Sequence, residues 1–424
     1  MNPLQFNDLL INFTSEFLPL WNDKGSGAHT AISLWRPSTT SDGLAQFFSL
    51  GDVATDNYRN INQRKIVAVV SDANKLDGTA LRLPDDYELV WTGADSGAHT
   101  AVSIWRPIPP DGYVAMGQVC GVNYDKPSRS AVRCLRADLV ASARVGSSIW
   151  NDKGSGAARD FSAWSIMAAG AAPGEINLVP GTFIASADYA RPTSPSYSLR
   201  LALTAQMSEP QPPPALTGYE SPAAQESMPT SQVCLLPWFS VRDPQLSAVE
   251  QLQSSPFYRL ERTDTHLFIG FAHNTGITNQ PSMWTASKGE TGQQSIALAA
   301  TTFVELWGQW SANTRLFELS FSANLEKEFT HTQRSAKGWG YSSPMEIITY
   351  IPAKKALAAY LIQSEYRLLR EDGSQVSTSV SYTNGDHVYM SEFPSAEPLR
   401  NEEPVVEPAL EVTRHDPIDS TLGS

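Results

Sequence analysis

Apolar residues along this chain come in short runs, and many of the runs alternate with polar positions. Ala31-Ile-Ser-Leu-Trp35 and Ala101-Val-Ser-Ile-Trp105 have the period of two expected of a half-buried strand. Each stops at an Arg-Pro step, Arg36-Pro37 and Arg106-Pro107, where proline withdraws a ladder donor. Apolar runs also precede them, at Phe17–Trp21, Tyr87–Trp91 and Ser148–Trp150. Between the two runs lies a turn, and the turn is a repeat: Trp21-Asn-Asp-Lys-Gly-Ser-Gly-Ala28, Trp91-Thr-Gly-Ala-Asp-Ser-Gly-Ala98 and Trp150-Asn-Asp-Lys-Gly-Ser-Gly-Ala157. A second tryptophan follows each first one fourteen residues on, at Trp35, Trp105 and Trp164. The Gly-Ser-Gly step supplies positive φ cheaply. A third strand is predicted in Gly112–Gly117, echoed at Gly43–Gly51 and Gly174–Gly181. A fourth is predicted in Lys65–Val70, Ala131–Leu135 and Thr182–Ala185, each running to an aspartate (Asp72, Asp138, Asp188). Three units that cannot bury their apolar faces alone predict three four-stranded antiparallel sheets around a pseudo-threefold axis, a β-prism.

The second half reads differently. Asp243–Leu252 predicts a short helix with Asp243 as its cap and Pro244 in its first turn. Long strands are then predicted over Phe257–Phe271, Ser295–Trp307, Leu316–Ala323, Glu346–Ile351, Lys355–Arg370 and Gln375–Thr383, with a hairpin turn at Glu371-Asp-Gly-Ser374. The strongest alternation is Phe317-Glu-Leu-Ser-Phe-Ser-Ala323. The whole chain is therefore read as all-β. Residues 1–205 form the prism and 206–230 a proline-rich linker; 231–394 form an elongated β-rich domain and 395–424 an acidic disordered tail. With few contacts expected to cross the linker, residues 1–205 should fold alone.

Composition changes this picture little. The chain has 424 residues, ample for two domains, and its 29 prolines and 27 glycines favour short strands and turns. A net charge of −13 argues against nucleic acid, or an anionic membrane, as a simple electrostatic partner. Three cysteines, Cys120, Cys134 and Cys234, make no disulfide framework; Cys120 and Cys134 pair only if adjacent strands bring them together, and buried free thiols are the alternative. No apolar stretch is long enough for a membrane helix, and the first residues lack a secretory signal, so a soluble cytosolic product that acts outside the cell is expected. Seven histidines show no metal-ligand spacing, and no Gly-x-Ser-x-Gly elbow, phosphate loop or dinucleotide fingerprint is present, so no enzyme is expected.

The Trp-x-Asp-x-Gly-Ser-Gly-Ala turns, the segment Trp105-Arg-Pro-Ile-Pro-Pro-Asp-Gly-Tyr113 and the string Pro127-Ser-Arg-Ser-Ala-Val-Arg-Cys-Leu-Arg-Ala-Asp-Leu139 resemble the vacuolar-protein-sorting-sixty-two-like domain over about residues 10 to 200. The resemblance implies a three-repeat β-prism of the kind used as a targeting module in bacterial perforin-like and insecticidal proteins. Repeat two departs by reading Gly93-Ala-Asp95, where the others read Asp23-Lys-Gly25 and Asp152-Lys-Gly154. Repeat three replaces His29 and His99 with Ala158 and lacks the Arg-Pro after Trp164.

Candidate ligand-binding residues follow from the repeat turns: Trp21, Asp23, Ser26 and His29; Trp91, Asp95, Ser96 and His99; Trp150, Asp152 and Ser155. One tryptophan of each pair should fill the core, leaving its partner to stack on a sugar or sit at a lipid headgroup. Asp23, Asp95 and Asp152 are candidate ligands for calcium or magnesium, although one carboxylate per loop is a poor cation cage and equally suits a turn. In the second domain Phe317, Leu319 and Phe321 are candidate membrane-inserting residues, because serines and threonines line the opposite face as in a pore-forming hairpin; a sheet with one wet face has the same alternation. The combined expectation is a cytolytic or insecticidal toxin-like protein. Its prism binds a cell-surface glycan or lipid receptor, and its second domain forms a homo-oligomer that inserts into the target membrane. A trafficking adaptor or a plain lectin are the alternatives.

Overall fold

The computed structural model describes residues 3–41, 43–74, 79–169, 171, 175–207, 211–222, 230, 232–241, 243, 245–291, 304–305, 319–323, 342–376 and 379–395. It is an all-β chain of antiparallel sheets with a single α-helix among these residues.

Each repeat begins with the predicted hairpin. Phe17–Asn22 pairs with Ser33–Pro37, Asp86–Thr92 with Val102–Ile108, and Val140–Asn151 with Ser162–Ala168. All three ladders shift register immediately before the first tryptophan: between Pro19 and Trp21, Leu89 and Trp91, and Ser148 and Trp150. The inserted residue is a bulge that re-aims the next side chain, which is how all three tryptophans come to point at the axis. A third strand closes each sheet, Val53–Thr55, Val119–Val122 or Phe183–Ser186.

The remaining strands form a second tier: Leu4–Phe6, Leu9–Thr14 and Val67–Asp72; Leu81–Arg82, Cys134–Arg136 and Tyr113–Val114; and Glu175–Leu178 with Tyr197–Ala202 against the start of Val140–Asn151. The strands of repeats one and two thus divide between three-stranded sheets, and in repeat three one long strand serves both tiers. Sequence order alone pairs Thr182–Ala185 with Lys65–Val70. The ladder instead sets Ile184 opposite Trp164, as Val53 and Val119 stand opposite Trp35 and Trp105.

The second domain is one sheet in the order Thr204–Met207, Gln232–Pro237, Phe257–His273, Ala356–Leu369, Val380–Phe393, Gln280–Thr291, Ser342–Ile351. Its helix is Ala248–Ser254, capped by Ser247 in a capping box with Glu250. The predicted cap, Asp243, lies outside the helix because its carboxylate is taken by Arg370, with Nε–Oδ2 2.7 Å and Nη2–Oδ1 2.9 Å, and by the Tyr258 hydroxyl at 3.1 Å.

The described part of the proline-rich stretch, residues 211–222, packs on the second sheet. Leu216 sits against Ala356, Ala358 and Tyr360, and Tyr219 stacks on His273 with ring centroids 4.4 Å apart. The two domains also share a core, in which Leu9, Ile11 and Phe13 join Trp238, Phe239 and Tyr258; Phe13 meets Trp238 edge-on at 5.0 Å. All three cysteines are free and buried, and burial pushes the Cys134 thiol up to about 12.

Candidate ligand-binding site

Trp21, Trp91 and Trp150 meet edge-to-face on the axis, with ring centroids 6.2–6.3 Å apart. Each indole N–H donates to a carbonyl of another repeat: Trp21 to Thr100 (2.7 Å), Trp91 to Arg159 (2.9 Å) and Trp150 to Thr30 (2.7 Å). These three bonds close a ring. All three side chains are buried in a core with Ile32, Leu34, Val102, Ile104 and Phe161, so they are not open to a ligand. Trp105 and Trp164 are only partly buried, with Lys126 over the first ring and Arg191 over the second.

The repeat aspartates have two fates. Asp23 is buried; its Oδ1 accepts from the Ile32 amide (3.0 Å) and the Tyr58 hydroxyl (2.8 Å), and its Oδ2 from Ser26 (3.4 Å). Burial, together with that bond, pushes the Tyr58 hydroxyl up to about 12. Asp152 accepts from the Phe161 amide (2.9 Å), and burial holds its carboxyl above the usual range. Both carboxylates tie the turn to the following strand, and a cation would have to displace these donors. Asp95 is exposed on the turn at φ +61°, and Gly93 occupies the buried position. Among the described residues no three acids, histidines or cysteines gather as a metal site. Ser26, Ser96 and Ser155 are buried, and each accepts from the amide two residues on.

The two histidines lie at the junctions between turns. A Cβ on Gly25 (φ +89°) would fall 2.5 Å from the His99 ring, and one on Gly154 (φ +90°) 2.7 Å from the His29 ring. Their backbones are tied as well, His99 N to Lys24 O at 2.9 Å and His29 N to Lys153 O at 3.0 Å. At the equivalent positions of the third junction the sequence has Asp95 in place of glycine and Ala158 in place of histidine. The two departures from the repeat thus fall at the positions equivalent to the two sides of that contact.

A second set of junctions lies where the third strands meet. Gly51 and Gly117 approach Thr182 so closely that a Cβ on either would lie within 3 Å of its side chain. Asp52 N donates to Gln118 O (2.8 Å) and Gln118 N to Phe183 O (3.2 Å). Asp52, fully buried, is gripped by Arg36 through Nε–Oδ1 2.9 Å and Nη2–Oδ2 2.8 Å. Between repeats two and three the surface opens into two adjoining cavities of about 290 and 280 Å³, with Arg106 and Ser194 lining both.

Residues 4–209 match the family described as Vacuolar protein sorting-associated protein 62. Among solved structures the chain is similar to GNIP1Aa from Chromobacterium piscinae, at 28% identity over 44% of this chain, with a TM-score of 0.37. This chain spans 34% of that protein's length. Cry35Ab1 aligns over 92% of this chain and 91% of its own at 10% identity, with a TM-score of 0.33. No curated protein matches.

Of the predicted membrane-inserting residues, Phe317 lies outside the described residues, as do 324–341. Leu319 and Phe321 fall on Leu319–Ala323, which pairs antiparallel with Glu175–Leu178 of the prism, Leu319 opposite Leu178 and Phe321 opposite Ile176. Of the predicted strand Ser295–Trp307 only 304–305 are described, and the tail beyond 395 lies outside the described residues. Sequence reasoning missed Gln118 and Asp52. The signal that finds them is the ladder opposite the second tryptophan, which a repeat defined by the turn alone does not reach.

Proposed function

We propose that this is a non-enzymatic, toxin-like protein whose prism recognises a glycan or lipid on a target-cell surface, and whose second domain self-associates and delivers an amphipathic hairpin into that membrane. The observation that carries this reading is the antiparallel strand pair Gln280–Thr291 and Ser342–Ile351. Its inner face holds Trp284, Ala286 and Ile347, which pack with Leu361. Its outer face holds Met283, Ile348 and Tyr350, 63%, 67% and 65% exposed, with Met283 directly opposite Ile348. Three exposed apolar side chains together on that outer face leave it a surface for a partner, whether a second copy or a lipid surface. The same two strands flank residues 292–341, the stretch that contains Phe317, Leu319 and Phe321. No helix among the described residues is long and apolar enough to cross a membrane, so insertion would use strands.

The test is dye release. Full-length protein should empty dye-loaded vesicles made from target-membrane lipid extract and leave ring-shaped oligomers on them by electron microscopy. Leu319→Arg should fold and bind cells but release nothing, since a charge on a lipid-facing strand costs about 2–4 kcal/mol near mid-bilayer. Binding without release by the wild type would make the chain a lectin or adaptor.

A further inference from the structure

Internal pseudosymmetry shows what the cleft between repeats two and three is shaped to hold. In repeat one the arginine after the second tryptophan, Arg36, closes the corresponding wedge. It forks on Asp52, and its Nη2 also donates to Cys120 O at 2.8 Å in repeat two. The Asp52 carboxylate collects the Cys120 amide as well, at 2.6 Å. Repeat two keeps the arginine, Arg106, but places Gln118 where Asp52 stands. Gln118 is 4% exposed, lines the cavity, and its Oε1 has no hydrogen-bond partner among the described residues. Arg106 turns outward to Glu88 at 3.0 Å, in a pair exposed on both sides and therefore worth little. Ala185, at the position of Cys120 opposite the residue before the second tryptophan, lines the same cleft. Where repeat one has a carboxylate plug, repeat two has a cleft, a guanidinium held by a weak pair, and an unpaired buried acceptor.

We propose that this cleft binds a carboxylate-bearing sugar. Its carboxylate takes the place beside Arg106 that Asp52 takes beside Arg36, and its hydroxyls donate to Gln118 Oε1. A bare anion would satisfy Arg106 alone; a ligand that also brings donors satisfies both. Tyr113 and Tyr197 give the wall aromatic surface, and Ser194 and Ser196 supply further hydroxyls. The inference rests on the reading of the prism as the surface-recognition module and names its ligand class.

The experiment uses the full-length chain and ligand-observed NMR titration. The probes are methyl β-glucuronide and methyl α-sialoside, which distinguish uronic from sialic acid as the source of the carboxylate, with methyl β-glucoside and acetate as controls. At least one acidic sugar should bind saturably and at least tenfold more tightly than either control. Arg106→Gln should abolish that binding. Gln118→Asp, which rebuilds the fork of repeat one, should abolish it too while the melting temperature holds or rises. Glu88→Gln, by releasing Arg106, should tighten it several-fold. Equal binding of the glucoside or of acetate, no binding of either acid, or unchanged binding in both folded Arg106→Gln and Gln118→Asp overturns the proposal. If Arg106→Gln binds target cells like the wild type, the cleft assignment fails and the recognition role stands. If the wild type binds no cells, that role fails.

Discussion

Gly25 and His99 make one contact from two repeats, and a third copy of that contact is already rewritten in the chain. The repeat that puts Asp95 at the glycine position (φ +61°) also puts Ala158 at the histidine position, as expected if a side chain on the turn needs the facing ring removed. Gly25→Asp should therefore destabilise the prism by about 1–3 kcal/mol through overpacking against His99, and Gly25→Asp with His99→Ala should recover most of that loss. Urea unfolding of the two single variants and the double variant measures the coupling; strict additivity would deny the contact. Trp91→Phe keeps the ring stacking but leaves the Arg159 carbonyl without its donor, a cost of about 1–3 kcal/mol in the same assay. The turn motif made these residues visible in the sequence. It did not show which tryptophan of each pair faces the axis, because Trp21 and Trp35 both end apolar-rich runs; the bulge before the first tryptophan decides it.

Among the elements, the long strands of the second domain were the most legible. Phe257–His273 and Ala356–Leu369 lie within two residues of the patterns that predict them. Gln280–Thr291 was missed, because Pro281, Gly289 and many polar residues break its pattern. Pro281 is tolerated where that strand is paired on one side only. Asp243 was legible as a cap by local chemistry and became the anchor of Arg370 through a partner far along the chain. Because that pair is buried, Arg370→Ala should cost about 3–5 kcal/mol, read by chemical unfolding of the full chain.

His266, buried between Tyr360 and Tyr389, adds a pH term to the same sheet. Neither ring nitrogen has a hydrogen-bond partner among the described residues, and burial holds its pKa below the usual 6.5 even with Asp264 nearby. The folded sheet thus binds this proton less readily than the unfolded chain does. Stability contributed here is complete above pH 6.5 and falls as the pH drops below it, levelling off once the pH is under the depressed folded value. His266→Phe should flatten that part of a melting-temperature profile against pH; an unchanged slope would place the titration elsewhere.

For the whole molecule, the sequence reads as two halves joined by a proline-rich spacer with few contacts across it, whereas Leu9, Ile11 and Phe13 share a core with Trp238, Phe239 and Tyr258. A run of prolines predicts a spacer, but nothing local records that Phe13 packs on Trp238 or that Tyr219 lies on His273. Truncation after residue 205 should therefore give a prism with an exposed apolar base. Its melting temperature should lie well below that of the first transition in the full chain, and it should bind the hydrophobic dye ANS. A fragment as stable as the intact protein would show that the shared core contributes nothing. The membrane-facing role of Phe317, Leu319 and Phe321 was a matter of alternation alone, which fits a lumen wall and a wet sheet equally well.

The ring of indole bonds also sets a timetable. Its closing link runs from Trp150 back to Thr30, across 120 residues of chain. At a synthesis rate of about 5–20 residues per second, the first hairpin leaves the ribosome roughly 6–24 s before the indole that completes its ring. For the first half of that interval Trp21 is alone, and from residue 91 to residue 150 Trp21 and Trp91 have only each other. The early repeats must either wait unfolded or stack in a pair that still lacks its third member, which makes chaperone occupancy of ribosome-bound chains stalled before and after residue 150 the direct readout of how this domain is made.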